Sequence, residues 1–162
     1  MRKPEFIYVT YIETTPEKLW EALTDGDFTE RYWFGVRLRS EWKAGSSFEM
    51  VRTNGSVSDA GKVAEYDPPR RLAYTFVNLS DEYKGELPAL ATFVIEPHGK
   101  LVKLTLTHEG FAEGSKFLAG VSMGWPAILS GLGYHVIAST GRKDEHVMVR
   151  LGTRLEYYDG EL

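Results

Sequence analysis

The feature that most constrains this chain is a long apolar segment near its C-terminus, Glu113–Gly141. No other stretch of the sequence is long enough for a major helix. Its large apolar residues recur at steps of three or four, which places them on one stripe of a helix with 3.6 residues per turn. This apolar stripe consists of Leu118, Val121, Trp125, Leu129, Leu132 and Val136.

A second stripe of the same helix carries almost no side chain and consists of Gly120, Gly124, Ala127 and Gly131. Each glycine inside a helix costs about 1 kcal/mol relative to alanine. The helix must therefore be stabilised by burying its apolar stripe against the rest of the protein. The glycine stripe could face solvent or a cavity, or it could allow a second backbone to approach closely in a helix-mediated homodimer.

Pro126 lies in the middle of this segment and has no N–H to donate to the carbonyl of Ser122. We therefore expect a kink, or a restart of the helix between Ser122 and Trp125. Ser122 is a candidate N-cap for the second half. A bend that only reflects packing is the alternative.

The chain before this helix is predicted to be mostly sheet. Phe6–Glu13 is rich in β-branched and aromatic residues, which favours a strand. Two short helices follow it, the first capped by Thr15 or Thr14 and the second by Asp27. Further strands are predicted at Val36–Trp42, Ser47–Thr53, Ser56–Tyr66, Arg70–Val77, Ala89–Glu96 and Leu101–Glu109.

The connections between these strands carry turn signals. Asn54-Gly55 is typical of a type I′ hairpin turn, and the pair Pro68-Pro69 cannot continue a paired strand. Asn78–Glu86 is polar and is predicted to be a loop. We expect residues 1–141 to form one domain and residues 142–162 to form a C-terminal tail of undefined structure.

Bulk properties exclude several functions. The net charge of −4 argues against a nucleic-acid partner. The chain has no cysteine, no signal peptide and no apolar run long enough for membrane insertion, so we expect a cytoplasmic protein. No residue spacing indicates a metal site, a cofactor motif or a set of catalytic residues.

Several short segments resemble the START-like (SRPBCC) superfamily. They are Thr15–Thr24, Tyr32-Trp33, Gly61–Val63, Asp67–Leu72, Thr107–Phe111 and Gly124–Pro126. Within the superfamily the chain is most similar to the branch related to the C-terminal domain of the heat-shock-protein-90 ATPase activator. The resemblance implies the α+β helix-grip fold, in which a curved antiparallel sheet holds a long C-terminal helix over an internal cavity. Two short helices would follow the first strand.

If such a cavity exists, alternate strand positions and the apolar stripe should line it. The candidate ligand-binding residues are Trp33, Trp42, Phe48, Met50, Arg52, Tyr74, Phe76, Phe93, His108 and Trp125. Each of the aromatic residues could instead simply fill the core. Arg52 could anchor a carboxylate or phosphate, or it could pair with Glu65.

His108 is the polar candidate of most interest, because its phase in the last strand places it inward. It could donate to a ligand or act as a general acid or base near neutral pH. Alternatively, it is a buried histidine that is hydrogen-bonded to a tyrosine or to the backbone. The sequence alone does not separate these interpretations.

Three functions follow as hypotheses. The first is binding of a hydrophobic or aromatic small molecule in the internal cavity. The second, suggested by the branch of the superfamily, is a protein-interaction module that stimulates a chaperone ATPase. The third is an enzyme of polyketide cyclase or aromatase type that uses His108 as a base.

Overall fold

The computed structural model describes residues 3–139. Their elements follow one another as β1 (Glu5–Ile12), α1 (Pro16–Thr24), α2 (Gly26–Tyr32), β2 (Arg37–Ser40), β3 (Ser47–Val51), β4 (Val57–Asp67), β5 (Arg71–Asn78), a 3-10 turn (Asp81–Tyr83), β6 (Ala89–His98), β7 (Leu101–Glu109) and α3 (Lys116–Ala138). This order confirms the predicted succession of elements. The tail predicted at residues 142–162 lies outside the described residues.

The seven strands form one antiparallel sheet in the order β1-β7-β6-β5-β4-β3-β2. The N-terminal strand thus pairs with the last strand, with Phe6 opposite His108. Along β7 the residues from Val102 to His108 alternate between buried and half-buried positions. Since side chains alternate between the two faces of a strand, one face of the sheet is covered by the helices.

The ends of the two short helices are set by polar caps. The hydroxyl oxygen of Thr15 accepts a hydrogen bond from the backbone N–H of Lys18 at 3.3 Å, and Pro16 is the first helical residue. The prediction of Asp27 as the second cap is wrong. Asp25 caps α2 instead, because its Oδ1 accepts from the N–H of Phe28 at 2.9 Å.

The hairpin between β3 and β4 differs from the predicted type I′ turn. That turn requires a positive φ at both central residues, but Asn54 is not among the residues with positive φ and Gly55 is, with φ of 84°. The N–H of Gly55 donates to the carbonyl of Arg52 at 2.8 Å. The turn therefore has type I geometry, followed by Gly55 in the left-handed conformation.

The helix α3 is continuous through Pro126, so the predicted restart is wrong. The hydroxyl of Ser122 does not cap a second half; it donates to the carbonyl of Leu118 at 2.7 Å, within the helix. Residues on both sides of the proline are held by tertiary packing, since Trp125 and Leu129 are at most 2% exposed. Burial of the apolar stripe therefore holds the helix together across the missing N–H.

Two glycines of the stripe lie against side chains of their own chain. A methyl group at Gly120 would lie 2.6 Å from the hydroxyl oxygen of Tyr83. At Gly131 it would lie 3.2 Å from Cβ of Tyr32. At Gly124 no atom would lie within 4 Å. Two of the three glycines thus seat tyrosines, and the third faces empty space.

The N-terminus of α3 is tied to the loop before β6 by the carboxylate of Glu86. Its Oε1 accepts from the backbone N–H groups of Lys116 at 2.8 Å and Phe117 at 3.3 Å. Its Oε2 accepts from the hydroxyl of Ser115 at 2.9 Å. The two backbone N–H groups are among those that a helix start leaves without intrahelical partners, and the helix dipole favours a negative charge there.

We predict that Glu86→Ala lowers the free energy of unfolding by about 1–2 kcal/mol, because it removes a cap with several bonds. The matched control is Glu82→Ala, which removes the same side chain from an exposed position of the same loop. Urea unfolding of both variants measures the difference. Equal stability of the two variants would contradict the capping role of Glu86.

Candidate functional site

A pocket of about 180 Å³ lies between α3 and the inner face of β3, β4 and β5. It is lined by Trp33, Met50, Asp59, Phe76, Asn78, Tyr83, Phe117, Gly120, Val121, Gly124, Trp125 and Ile128. A second hollow of about 330 Å³ adjoins it on the side of the α2–β2 connection, and the two share Trp33, Met50, Asp59 and Asn78. We call the first hollow the inner pocket and the second the outer hollow.

Strand register explains how the sheet builds its side of the inner pocket. Met50 on β3 lies opposite Asp59 on β4, which in turn lies opposite Asn78 on β5. Residues opposite one another in antiparallel strands point to the same face. In the next row of that face, Gly61 lies opposite Phe76, and a side chain at Gly61 would collide with the backbone of Thr75 on β5.

Aromatic rings form the apolar wall of the inner pocket. Trp125 is 1% exposed and meets the ring of Trp33 edge to face, at 5.1 Å between centroids. Phe76 lies 6.2 Å from Trp125 and 5.5 Å from Phe117, both in edge-to-face geometry. Such walls suit an aromatic or aliphatic ligand group, because aromatic pairs gain energy in these orientations.

The polar wall of the pocket is built around Asp59, which is 7% exposed. Its Oδ1 accepts a hydrogen bond from the side-chain amide of Asn78 at 3.2 Å. Burial raises the pKa of Asp59, while hydrogen bonds from Ser58 and Asn78 and the charge of Arg52 oppose this shift. The pocket therefore combines aromatic surface with one buried carboxyl group.

A third side of the pocket comes from the loop that was predicted between β5 and β6. Tyr83, on the 3-10 turn of this loop, extends to Gly120 of α3. Its ring also meets Phe117 edge to face at 5.4 Å. The glycine at position 120 provides the room in which this tyrosine reaches the helix.

The structure brings some of the predicted ligand-binding residues to the pocket and leaves others in the core. Trp33, Met50, Phe76 and Trp125 line the inner pocket, and Arg52 lines the outer hollow. Glu65, the alternative partner for Arg52, forms its ion pair with Arg71 at 2.6 Å.

The core positions are those of Phe48, Tyr74, Phe93 and His108, each at most 1% exposed. Phe48 and Tyr74 stack on each other at 4.0 Å between ring centroids. Trp42 is half-buried and stacks on Tyr66. None of these five is among the described residues that line either hollow, so ligand contact by them stays a prediction.

His108 is completely buried, and its Nδ1 accepts a hydrogen bond from the indole N–H of Trp125 at 3.0 Å. Nδ1 therefore carries no proton, and in the neutral ring the proton is on Nε2. Burial lowers the pKa of His108 to about 3, against the opposing influence of the Ala89 backbone. The role of general base has no support from this geometry, because the available lone pair already binds Trp125.

Sequence reasoning missed much of the inner pocket, namely Asp59, Asn78, Tyr83, Phe117 and Ile128. One signal was present for Asp59, which shares its strand phase with Gly61 and Val63. A carboxylate in the buried phase of a strand is rare and marks a site. No comparable signal marked Tyr83, because it reaches the pocket from a polar loop.

Neither a metal cluster nor a membrane span is found in the described part of the chain. Within residues 3–139, no group of three or more His, Asp or Glu side chains is placed to hold a metal ion. No helix of that range is long and apolar enough to cross a membrane.

A seven-stranded antiparallel sheet that holds one long helix, with two short helices after the first strand, defines the α+β helix-grip fold. This confirms the predicted fold class. Residues 13–136 match the family described as Activator of Hsp90 ATPase homolog 1-like protein. The chain therefore belongs to this family, within the START-like superfamily that the sequence motifs indicated.

Three solved structures with the same fold align with this chain over nearly their whole length. Protein MLL2253 from Mesorhizobium loti is 23% identical, with a TM-score of 0.73 over 84% of this chain and 98% of that one. The Aha1 dimer from Colwellia psychrerythraea is 21% identical, with a TM-score of 0.67 over 82% and 96%. An HSP90 activator from Plasmodium falciparum is 20% identical, with a TM-score of 0.67 over 83% and 96%.

At these identities the structural likeness shows a shared fold. No curated protein matches the sequence significantly. The function of this chain must therefore be argued from its own site.

The buried His108 predicts a specific loss of stability in acid. Its pKa is about 3 in the folded protein and about 6.5 in an unfolded chain. Between these values only the unfolded chain binds the proton, so the free energy of unfolding falls as the pH is lowered through this window. From pH 7 to pH 5 this contribution is about 2 kcal/mol.

His108→Gln should remove this dependence, since glutamine keeps an acceptor for the Trp125 N–H but does not titrate. His98→Gln, at an exposed position, is the control and should keep it. Urea unfolding at the two pH values measures both. If His108→Gln loses as much stability in acid as the wild type, the buried neutral histidine is the wrong explanation.

Proposed function

We propose that this protein binds a small hydrophobic or aromatic molecule in the inner pocket. The observation that carries the proposal is Gly124, whose missing side chain faces space with no atom within 4 Å. Gly120 and Gly131 seat Tyr83 and Tyr32, so each has a structural reason to be glycine. Gly124 has no such neighbour, yet it costs the helix about 1 kcal/mol relative to alanine.

The chemistry of the walls supports the same proposal. Protein interiors are normally packed to the density of organic crystals, so a cavity beside Trp125 and Phe76 gives up packing energy. A ligand that fills the space would recover these contacts. The volume of about 180 Å³ is below the roughly 300–1,000 Å³ of pockets for drug-sized ligands. We therefore propose a ligand group no larger than one aromatic ring with a short arm.

The test fills the pocket from the helix. Gly124→Leu places an isobutyl group in the empty space, whereas Ala127→Leu adds a similar group at an exposed position of the same helix. Using 2-phenylethanol as the probe in isothermal titration calorimetry, we expect Gly124→Leu to weaken binding by roughly 10-fold or more, since its side chain occupies the ligand's volume. Ala127→Leu should bind like the wild type.

Both variants should keep the circular dichroism spectrum and the melting temperature of a folded protein, because leucine is a better helix former than glycine. Equal binding by both variants would show that the probe does not use this pocket. Failure of the wild type to bind any small aromatic probe would contradict the proposed function itself.

A complementary measurement uses no chosen probe. Native mass spectrometry of the gently purified wild-type protein should show an additional mass that denaturing extraction releases as a small apolar compound. Gly124→Leu, purified in parallel, should lack this mass. Retention of the same mass by Gly124→Leu would exclude the inner pocket as its site.

A second candidate function follows from the family. One structural neighbour is an HSP90 activator, and the family description refers to the Hsp90 ATPase. We propose as the alternative that this chain stimulates a chaperone ATPase through its outer surface. The ATPase rate of an Hsp90-type chaperone should then rise with excess protein, and equally with Gly124→Leu, because a filled pocket leaves the outer surface unchanged. An unaltered rate would contradict this alternative.

Two further hypotheses receive less support. A cyclase that uses His108 as a base would need this side chain in the pocket, whereas it is buried against Trp125. A homodimer, the state of the Colwellia psychrerythraea neighbour, would not form through Gly120 and Gly131, which are occupied by tyrosines of the same chain. Such a dimer would use another surface.

A further inference from the structure

Asp59 lies at the junction of the two hollows. It lines both the inner pocket and the outer hollow, together with Trp33, Met50 and Asn78. Its position in β4, between Met50 and Asn78 in the strand register, directs its carboxyl group to the inner face of the sheet. A ligand that extends from one hollow to the other would therefore pass this group.

The hydrogen-bond donors that reach the carboxylate of Asp59 are neutral side chains. Asn78 donates to Oδ1 at 3.2 Å, and Ser58 supplies a second side-chain hydrogen bond. Within residues 3–139 no Lys, Arg or His side chain forms an ion pair with it. Arg52 acts on it through charge alone and has an exposed side chain. Among the described residues Asp59 therefore has no directly paired cation. A buried charge without such a partner is costly.

The surroundings of Asp59 suit a cation with an apolar body. The inner pocket presents the rings of Trp33, Phe76 and Trp125. Ring faces attract ammonium groups, and most strongly where water is excluded. A ligand carboxylate in the same place would meet the negative charge of Asp59 at close range.

We infer that the pocket selects a small aromatic or alkyl amine, whose ammonium group is bound by the carboxylate of Asp59. This inference rests on the proposed function and names its ligand class. It also opposes the anionic ligand suggested by Arg52, since Arg52 lines only the outer hollow whereas Asp59 lines both.

The test compares three probes of similar size that differ in their polar group: 2-phenylethylamine, 2-phenylethanol and 3-phenylpropanoate. Calorimetry on the wild-type protein at pH 7.5 gives the three affinities. We expect the amine to bind roughly 10-fold or more tightly than the alcohol, because hydrogen bonds to charged groups are the stronger ones. The acid should bind more weakly than the alcohol.

Asp59→Asn keeps the shape of the side chain and removes its charge. It should abolish the preference for the amine over the alcohol. Asp81→Asn, at an exposed position of the loop that carries Tyr83, makes the same change in net charge and should keep the preference. The comparison among probes on the wild type stands even if Asp59→Asn does not fold.

The outcomes distinguish failure of the inferred amine selectivity from failure of the proposed ligand binding. If the alcohol binds as tightly as the amine, or if folded Asp59→Asn keeps the preference, the inference is overturned and the proposed function stands. If the acid binds most tightly and Arg52→Gln abolishes this, the ligand is an anion and the inference is overturned. If none of the three probes binds to the wild type, both the inference and the proposed function fail.

Discussion

The packing of Trp125 against the sheet is the interaction on which the rest of this structure depends. Its ring meets Trp33, Phe76, Phe93 and His108, which come from four separate parts of the chain before α3. Its N–H donates to His108 and so fixes the helix along its axis as well as against the sheet. These ring contacts and this hydrogen bond hold in position a helix that contains several glycines and an internal proline.

The position of Trp125 also determines the pocket. Once this ring is anchored, the 3.6-residue period of the helix places Gly120, Gly124 and Gly131 along its neighbouring stripe. Gly120 and Gly131 let tyrosines from a loop and from α2 approach the helix, which closes the two ends of the stripe. The middle of the stripe stays open above Phe76. The cavity thus follows from the same packing that stabilises the fold.

Sequence periodicity predicted most of the fold, because alternation in strands and the apolar stripe in α3 are local signals. The errors concern the start of one helix and the continuity of another. Asp25 rather than Asp27 caps α2, through a local contact with the N–H of Phe28, whereas tertiary burial on both sides carries α3 through Pro126. For the site, inward phase identified Met50 and Phe76 in the strands and Trp125 in the apolar stripe. Inward phase did not distinguish these pocket-lining residues from the core residues Phe48 and Tyr74. Whether an inward side chain lines a pocket or fills the core depends on where the helix leaves space.

Asp59 also shows why a site can be argued from an energetic cost. An asparagine or serine at this position could satisfy the amide of Asn78 without placing a charge at a buried position. The carboxyl group therefore adds nothing to this contact that a neutral side chain could not supply, and its burial raises its pKa, which is a measure of that cost. Titratable groups in clefts whose pKa is shifted by burial are typical of functional sites. The proposed amine ligand would fill the empty space at Gly124 and would neutralise the charge of Asp59, so one occupant would offset both costs.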